Sequence, residues 1–205
     1  MTEGIAVIPA NQASCEDLAA IFGERGYAAY CQCQMFKIGH PAWTSATHAE
    51  RVAALREQAN CGQARARTTT GLVAYLDGEP VGWCAVEPRI AYRRLPSRRI
   101  VLKQRGEDPA DESVWAVTCF ITRAGYRRRG VTYALARAAV DFARERGARA
   151  VEGYPMITEP DKEITWGELH VGSHWAFADA GFTEVSHPTL RRLVMRIDFE
   201  KGVSS

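Results

Sequence analysis

Val114-Trp115-Ala116-Val117-Thr118-Cys119-Phe120-Ile121-Thr122 is nearly all apolar, and the chain then runs through Arg127-Arg128-Arg129-Gly130. A strand buried on both faces reads this way, because no position has to meet water. Past Gly130, Val131, Leu135, Ala139 and Phe142 recur at helical spacing, and Gly147 supplies the stop. Ala150 to Tyr154 is another short strand. Residues 114–154 are therefore read as strand, basic glycine turn, amphipathic helix and strand.

The turn is the part with chemistry in it. A helix start leaves four N–H groups without intrahelical partners and carries about half a positive charge. Gly130 has no Cβ to hold an anion away from the backbone. Arg127, Arg128 and Arg129 add forked donors that suit phosphate. Arginines placed there only for solvation would oppose the helix dipole without gain. A pyrophosphate cradle is the better account.

Upstream, Ile5 to Pro9 reads as a strand. Ser14-x-x-Asp17 caps a helix carrying Leu18, Ile21 and Phe22, which Gly26 is expected to end. Thr47-x-x-Glu50 is a capping box, with Val52, Leu55 and Ala59 along one face of a second helix. Gly71 to Leu76 and Val81 to Val86 flank Asp77-Gly78-Glu79-Pro80, a hairpin signature. The stretch 89–112 has no period and reads as a long loop. Its first part (Arg89, Arg93, Arg94, Arg98, Arg99, Lys103, Arg105) is basic, and a solvated, partly mobile segment is expected. A loop from Pro155 to about Glu168 leads to a helix with Ala176, Phe177 and Ala180, closed by Gly181. Phe182 to Val185 and Leu190 to Phe199 form a last hairpin. Together these elements make a mixed α/β sheet.

The chain has 205 residues, 46% apolar and 24% charged, with a net charge of +2. That fits one globular domain over 1–205 and argues against disorder. No run approaches the ~20 apolar residues of a membrane span. Met1 to Pro9 lacks a basic leader region, so a cytoplasmic protein with no membrane role is expected. The near-zero charge, and Tyr92 as the lone aromatic in the basic run, speak against a nucleic-acid partner. The six scattered cysteines are expected to be free thiols. Cys31-x-Cys33 is one pair where structural zinc usually shows two, so no metal is expected even with His40 and His48 nearby. Cys119 reads as a core cysteine rather than a nucleophile. Trp83, Trp115 and Trp175 read as core residues, and Trp43 and Trp166 as loop residues.

The segment Arg127-Arg128-Arg129-Gly130-Val131-Thr132 resembles the Arg/Gln-x-x-Gly-x-Gly/Ala signature of the GNAT superfamily of acyl-CoA-dependent N-acetyltransferases. Thr132 departs from it, standing where Gly or Ala is usual. The order of elements over most of the chain is also similar to GNAT. The resemblance implies a single-domain α/β fold with a mixed, mostly antiparallel central sheet flanked by helices. It implies acetyl-CoA as co-substrate and direct transfer of an acetyl group to a primary amine of a small-molecule or protein acceptor. It also implies that Phe120, Ile121 and Thr122 offer backbone groups to the pantetheine arm, and that Arg127 to Thr132, Val131 included, bind the pyrophosphate.

The family's later helix often supplies an Asn and a Tyr general acid; His170 and Phe177 stand at those positions, so the common acid is absent. An amine with a lysine-like pKa near 10.4 costs about 4.6 kcal/mol to deprotonate at pH 7, so proton handling is required. Tyr154 is the candidate acid and Glu152 the candidate base, sharing a strand face by the period of two. Against these stand a packed aromatic and an exposed strand charge. His170 and His174, one helical turn apart, offer a base relay, against a surface role for each. Tyr30, Gln34 and Met35, just after the first helix, are candidates for the acceptor pocket. A non-catalytic acyl-CoA-binding module is the alternative, and a homodimer through final-strand pairing stays open.

Overall fold

The computed structural model describes residues 4–95, 105–158 and 169–200. Seven strands form one sheet in the order β1-β2-β3-β4-β5-β7-β6. They are β1 (Ile5–Pro9), β2 (Gly71–Leu76), β3 (Glu79–Pro88), β4 (Val114–Thr122), β5 (Ala150–Gly153), β6 (Thr183–Thr189) and β7 (Arg192–Asp198). All neighbours run antiparallel except β4 and β5, which are parallel. The helices among the described residues are α1 (Cys15–Phe22), α2 (Gly26–Cys31), α3 (His40–Ser45), α4 (His48–Ala59), α5 (Val131–Glu145) and α6 (His174–Asp179).

The strand period of two divides the core into layers. Leu72, Cys84, Val86, Val117 and Phe120 face α5 and α6, where they meet Leu135, Ala139, Phe142 and Phe177. The alternate residues Val73, Trp83, Ala85, Cys119 and Ile121 face α1 and α4, against Leu18, Phe22, Leu55 and Ala59. Helix α5 comes down close on β3 because Gly82 has no side chain: a Cβ there would run into Val131 Cγ1 and crowd Leu135. That approach seats the start of α5 beside the end of β4.

The predicted cap at Ser14 forms, as a full capping box with Asp17, and so does the predicted capping box at Thr47 with Glu50. The hairpin turn is Asp77-Gly78 alone, with φ of +54° and +82°, the backbone a two-residue turn of matching twist demands.

Some expectations are corrected. Gly26 does not end the first helix; α1 stops at Phe22, with Gly23 as its cap, and Gly26 opens α2. Trp43 lies in α3 rather than a loop. Trp175 is exposed: its neighbours Ala176 and Phe177 take the buried face of this short helix, which leaves Trp175 on the outer one. Trp83 and Trp115 are core residues, and Trp166 lies outside the described residues. Cys15 and Cys61 form a disulfide, so not all thiols are free; Cys31, Cys33, Cys84 and Cys119 are free and buried. The basic run is not simply solvated either. Arg89 is fully buried, Arg105 joins the same ion cluster, and Arg94 donates to the Met35 carbonyl. Arg98, Arg99 and Lys103 lie outside the described residues. No helix among the described residues is long and apolar enough to cross a membrane.

Candidate functional site

Strands β4 and β5 pair only from Val114↔Ala150 to Val117↔Gly153. Beyond that point β5 ends and β4 continues alone to Thr122. Opposite it comes residue 170, whose carbonyl accepts from the Phe120 N–H at 2.6 Å. On its other side β4 carries a bulge: Ala85 pairs with Cys119 and Val86 with Val117, which leaves Thr118 unmatched in the β3 register. Bulges of this kind re-aim the strand next to active sites.

The space opened by this parting is a cleft of about 310 Å³. Its lining comes from three places: Phe120 and Thr122 of β4, Arg127, Arg128, Thr132 and Tyr133 around the start of α5, and Leu169, His170, Gly172 and Ser173 ahead of α6. A smaller recess of about 90 Å³ continues along Tyr126, Gly130 and Val131. Gly130 is the residue before α5, at φ +80°, and Arg128 is also left-handed at +61°. No side chain caps α5, and no acidic residue lies in its first turn. The helix start therefore presents donors and positive potential to the cleft with no carboxylate of its own turn to neutralise them. Arg129 lies over the Tyr126 ring at 5.4 Å.

The other candidates are placed as follows. Ile121 is buried on the α1 and α4 side, and Phe120, whose N–H serves His170, lines the cleft with its ring packed on Phe177. His170 is buried rather than superficial, and it precedes α6 instead of sharing a helix with His174. Its ring stands 5.8 Å from Tyr27 and 6.0 Å from Phe36. His174 stacks on Trp175 at 4.4 Å.

Glu152 is fully buried, not an exposed strand charge. Its oxygens accept from Arg89 at 2.9 Å, Arg105 at 2.8 Å, Arg196 at 3.4 Å and the Tyr154 hydroxyl at 2.7 Å. Burial, with the neighbouring Glu152 carboxylate, pushes the Tyr154 phenol well above its ordinary pKa. Neither residue is among those lining the two clefts. The hydrogen bond with Cys33, together with burial, likewise holds the Cys119 thiol well up, which suits a core thiol.

Tyr30 is half exposed and covers Arg51 at 4.2 Å. Gln34 is buried and exchanges hydrogen bonds with Gln58, while Met35 accepts from the Tyr27 hydroxyl. None of the three lines these clefts. Phe177 is fully buried, filling the place a Cβ at Gly153 would take. Sequence reasoning misses Tyr133 and Ser173. Tyr133 sits one residue past the signature, and the signal for Ser173 is its position as the cap of α6. Among the described residues no three metal-ligating side chains gather.

A family model described as the acetyltransferase (GNAT) family matches residues 33–155, more than half of the chain. No curated protein matches. Among solved structures, a GCN5-related N-acetyltransferase from Kribbella flavida is similar, at 17% identity over 97% of this chain and 100% of that one, with a TM-score of 0.53. The putative acetyltransferase yncA from Salmonella typhimurium, solved with its cofactor acetyl-CoA, is similar at 13% identity over 98% of each chain, with a TM-score of 0.51. These likenesses show the fold. The matched residues take in β4, the arginine turn and the start of α5, which supply two of the three parts of the cleft lining, and the chain belongs to the GNAT acetyltransferase family.

Proposed function

We propose that the protein is an acetyl-CoA-dependent N-acetyltransferase that moves the acetyl group directly to a primary amine. The observation that carries this reading is the parting of β4 from β5 in front of an uncapped, glycine-led helix start. Acetyl-CoA would supply an activated thioester there. The N–H groups at the start of α5, with Arg127 and Arg128, have the donor chemistry for its diphosphate. Thr132 adds a hydroxyl where the family usually has a smaller residue.

Proton handling falls to His170. It lines the cleft, and an imidazole changes charge near neutral pH. Glu152 fits the base role less well, because each oxygen already serves guanidinium groups, with no exposed surface from which to reach an amine. Tyr154 could act as acid only by giving up its bond to Glu152. His170→Gln is expected to lower kcat by about a hundredfold or more while leaving donor binding in place. A kcat equal to wild type would move proton handling elsewhere.

Thermal denaturation with acetyl-CoA, free CoA and ATP tests the donor site. Ligand at a hundredfold its Kd stabilises by about 2.7 kcal/mol, a shift of roughly 5–10 °C for a chain of this size. A shift with acetyl-CoA and none with ATP is expected; no shift with either CoA species would refute the reading. A second reading, a non-catalytic acyl-CoA-binding module, is favoured by the fully buried Phe177 ring where the family often has its acid. CoA release at the uncatalysed rate across a broad amine panel, with binding intact, would decide for it.

A further inference from the structure

Cys15 and Cys61 are joined by a disulfide, with 46 residues of separation and Cα atoms 5.1 Å apart. The ring so closed contains α1 to α4, of which α1 and α4 pack on the far face of the sheet from α5. It also carries the segment that reaches the donor cleft from the other side, since Tyr27 and Phe36 both pack on the His170 ring. Within the same segment Cys33 Sγ accepts from the Trp83 indole N–H at 3.2 Å. The ring is thus tied to the sheet directly behind the candidate site.

The ends of this ring are held together without the bond. The Gly62 N–H donates to the Ala13 carbonyl at 2.7 Å, and the Asn11 amide donates to the Ala66 carbonyl at 3.0 Å. Opening the disulfide therefore leaves both sulfurs within reach of each other, which favours closing it again. Access is also provided. Cys15 is half-buried, stands first in α1 and opens onto a cleft of about 540 Å³ between α1 and α4, lined by Leu18, Phe22, Val52 and Leu55. The four other thiols are buried, so exchange is directed to this pair.

We propose that Cys15–Cys61 is a thiol–disulfide exchange site for small thiols of the glutathione class, and that its closure sets the Tyr27–Phe36 segment against His170. The first half stands independently; the functional meaning of the second rests on the acetyltransferase reading. In the opening step a glutathione thiolate attacks Cys15 Sγ. The S–S bond breaks with its electron pair on Cys61 Sγ, which takes a proton from solvent. A second glutathione thiolate attacks the glutathione sulfur of the mixed disulfide, and Cys15 leaves as thiolate and is protonated. The products are two protein thiols and one oxidised glutathione, and the reverse sequence consumes that oxidant.

The test equilibrates the folded full chain in glutathione buffers of stepped ratio, then alkylates and counts modified cysteines by mass. One reversible transition confined to Cys15 and Cys61 is expected. Amide exchange on the same samples is expected to run about tenfold faster over residues 26–38 in the reduced form, with the acetyl-CoA melting shift equal in both forms. A pair that stays oxidised, or stays reduced, at every ratio overturns the exchange site. Reversible exchange with equal protection over 26–38 overturns the coupling. Reducing the wild-type chain in place keeps the test independent of whether Cys15→Ser folds. Failure of the acetyltransferase reading would register separately, as no acetyl-CoA shift in either form.

Discussion

Glu152→Ala is expected to lower the melting temperature by about 6–20 °C, while chain that remains folded keeps its acetyl-CoA shift. Removing one partner of a buried ion pair costs about 3–5 kcal/mol, because the other partner keeps its desolvation penalty. A chain of this size loses about 2–4 °C per kcal/mol. Here the loss falls on Arg89, Arg105 and Arg196 together, and it also leaves the Tyr154 hydroxyl without its acceptor. Glu107 would remain as the carboxylate that all three arginines still touch. Glu152→Gln sharpens the comparison, since it keeps the volume and removes the charge. A general base would show the opposite pattern, with kcat collapsing and the melting temperature unmoved. That outcome would return Glu152 to catalysis.

The same cluster sets an acid limit. Burial would push the Glu107 carboxyl up, but the Arg89 hydrogen bond and the charges of Arg105 and Arg196 outweigh it and hold its pKa below the usual 4.5. A folded pKa below the unfolded one gives stability that is fully present above about pH 4.5 and is lost as pH falls further. Acid titration of the melting temperature of Glu107→Gln against wild type is expected to show the two curves converging below that pH. Parallel curves would mean that Glu107 contributes nothing through its charge.

The elements that can be read from the sequence are those whose cause is local. The Asp77-Gly78 turn is legible because two residues at positive φ close a hairpin, and this pair tolerates them. Strand β4 is legible because a strand covered on both faces needs no polar alternation. Helices α2 and α3 are missed because six residues are too few for periodicity to show. Arg89 is missed for a different reason. Nothing nearby marks a charged residue as buried when Glu107 and Glu152 lie 18 and 63 residues further on.

The proposed donor side of the site follows the same division. Its turn is contiguous, so Arg127 to Thr132 can be identified by eye. The proposed proton-handling side is assembled from distant segments. His170 reaches the cleft because the chain turns at Gly172, at φ +89°, and because its carbonyl joins β4 at Phe120. A helical reading of 170–181 places it beside His174 and hides both facts. The disulfide is hidden in the same way, since its 46-residue spacing carries no local signal.

Gly130→Val is expected to abolish the acetyl-CoA melting shift, and comparison with Gly130→Asn separates the two reasons why. The first is backbone strain. Gly130 holds φ +80°, where a β-branched residue costs about 1–2 kcal/mol, so the unliganded valine variant should itself melt about 2–8 °C lower. The second is obstruction: with the diphosphate against Gly130, as proposed, a Cβ at this position would stand between the phosphate and the first N–H groups of α5. Asn tolerates the left-handed region, so Gly130→Asn should melt near wild type without ligand and still bind poorly. Losing two charge-assisted hydrogen bonds, at about 1.5–3 kcal/mol each, corresponds to roughly a hundredfold to ten-thousandfold in Kd. Weak binding in both variants, with only valine destabilised, places the diphosphate against Gly130. If Gly130→Asn binds as wild type while Gly130→Val does not, valine acts through the fold and the anion lies elsewhere along the arginine turn. Full affinity in both would remove the cradle altogether, and with it the argument that the uncapped start of α5 faces a nucleotide.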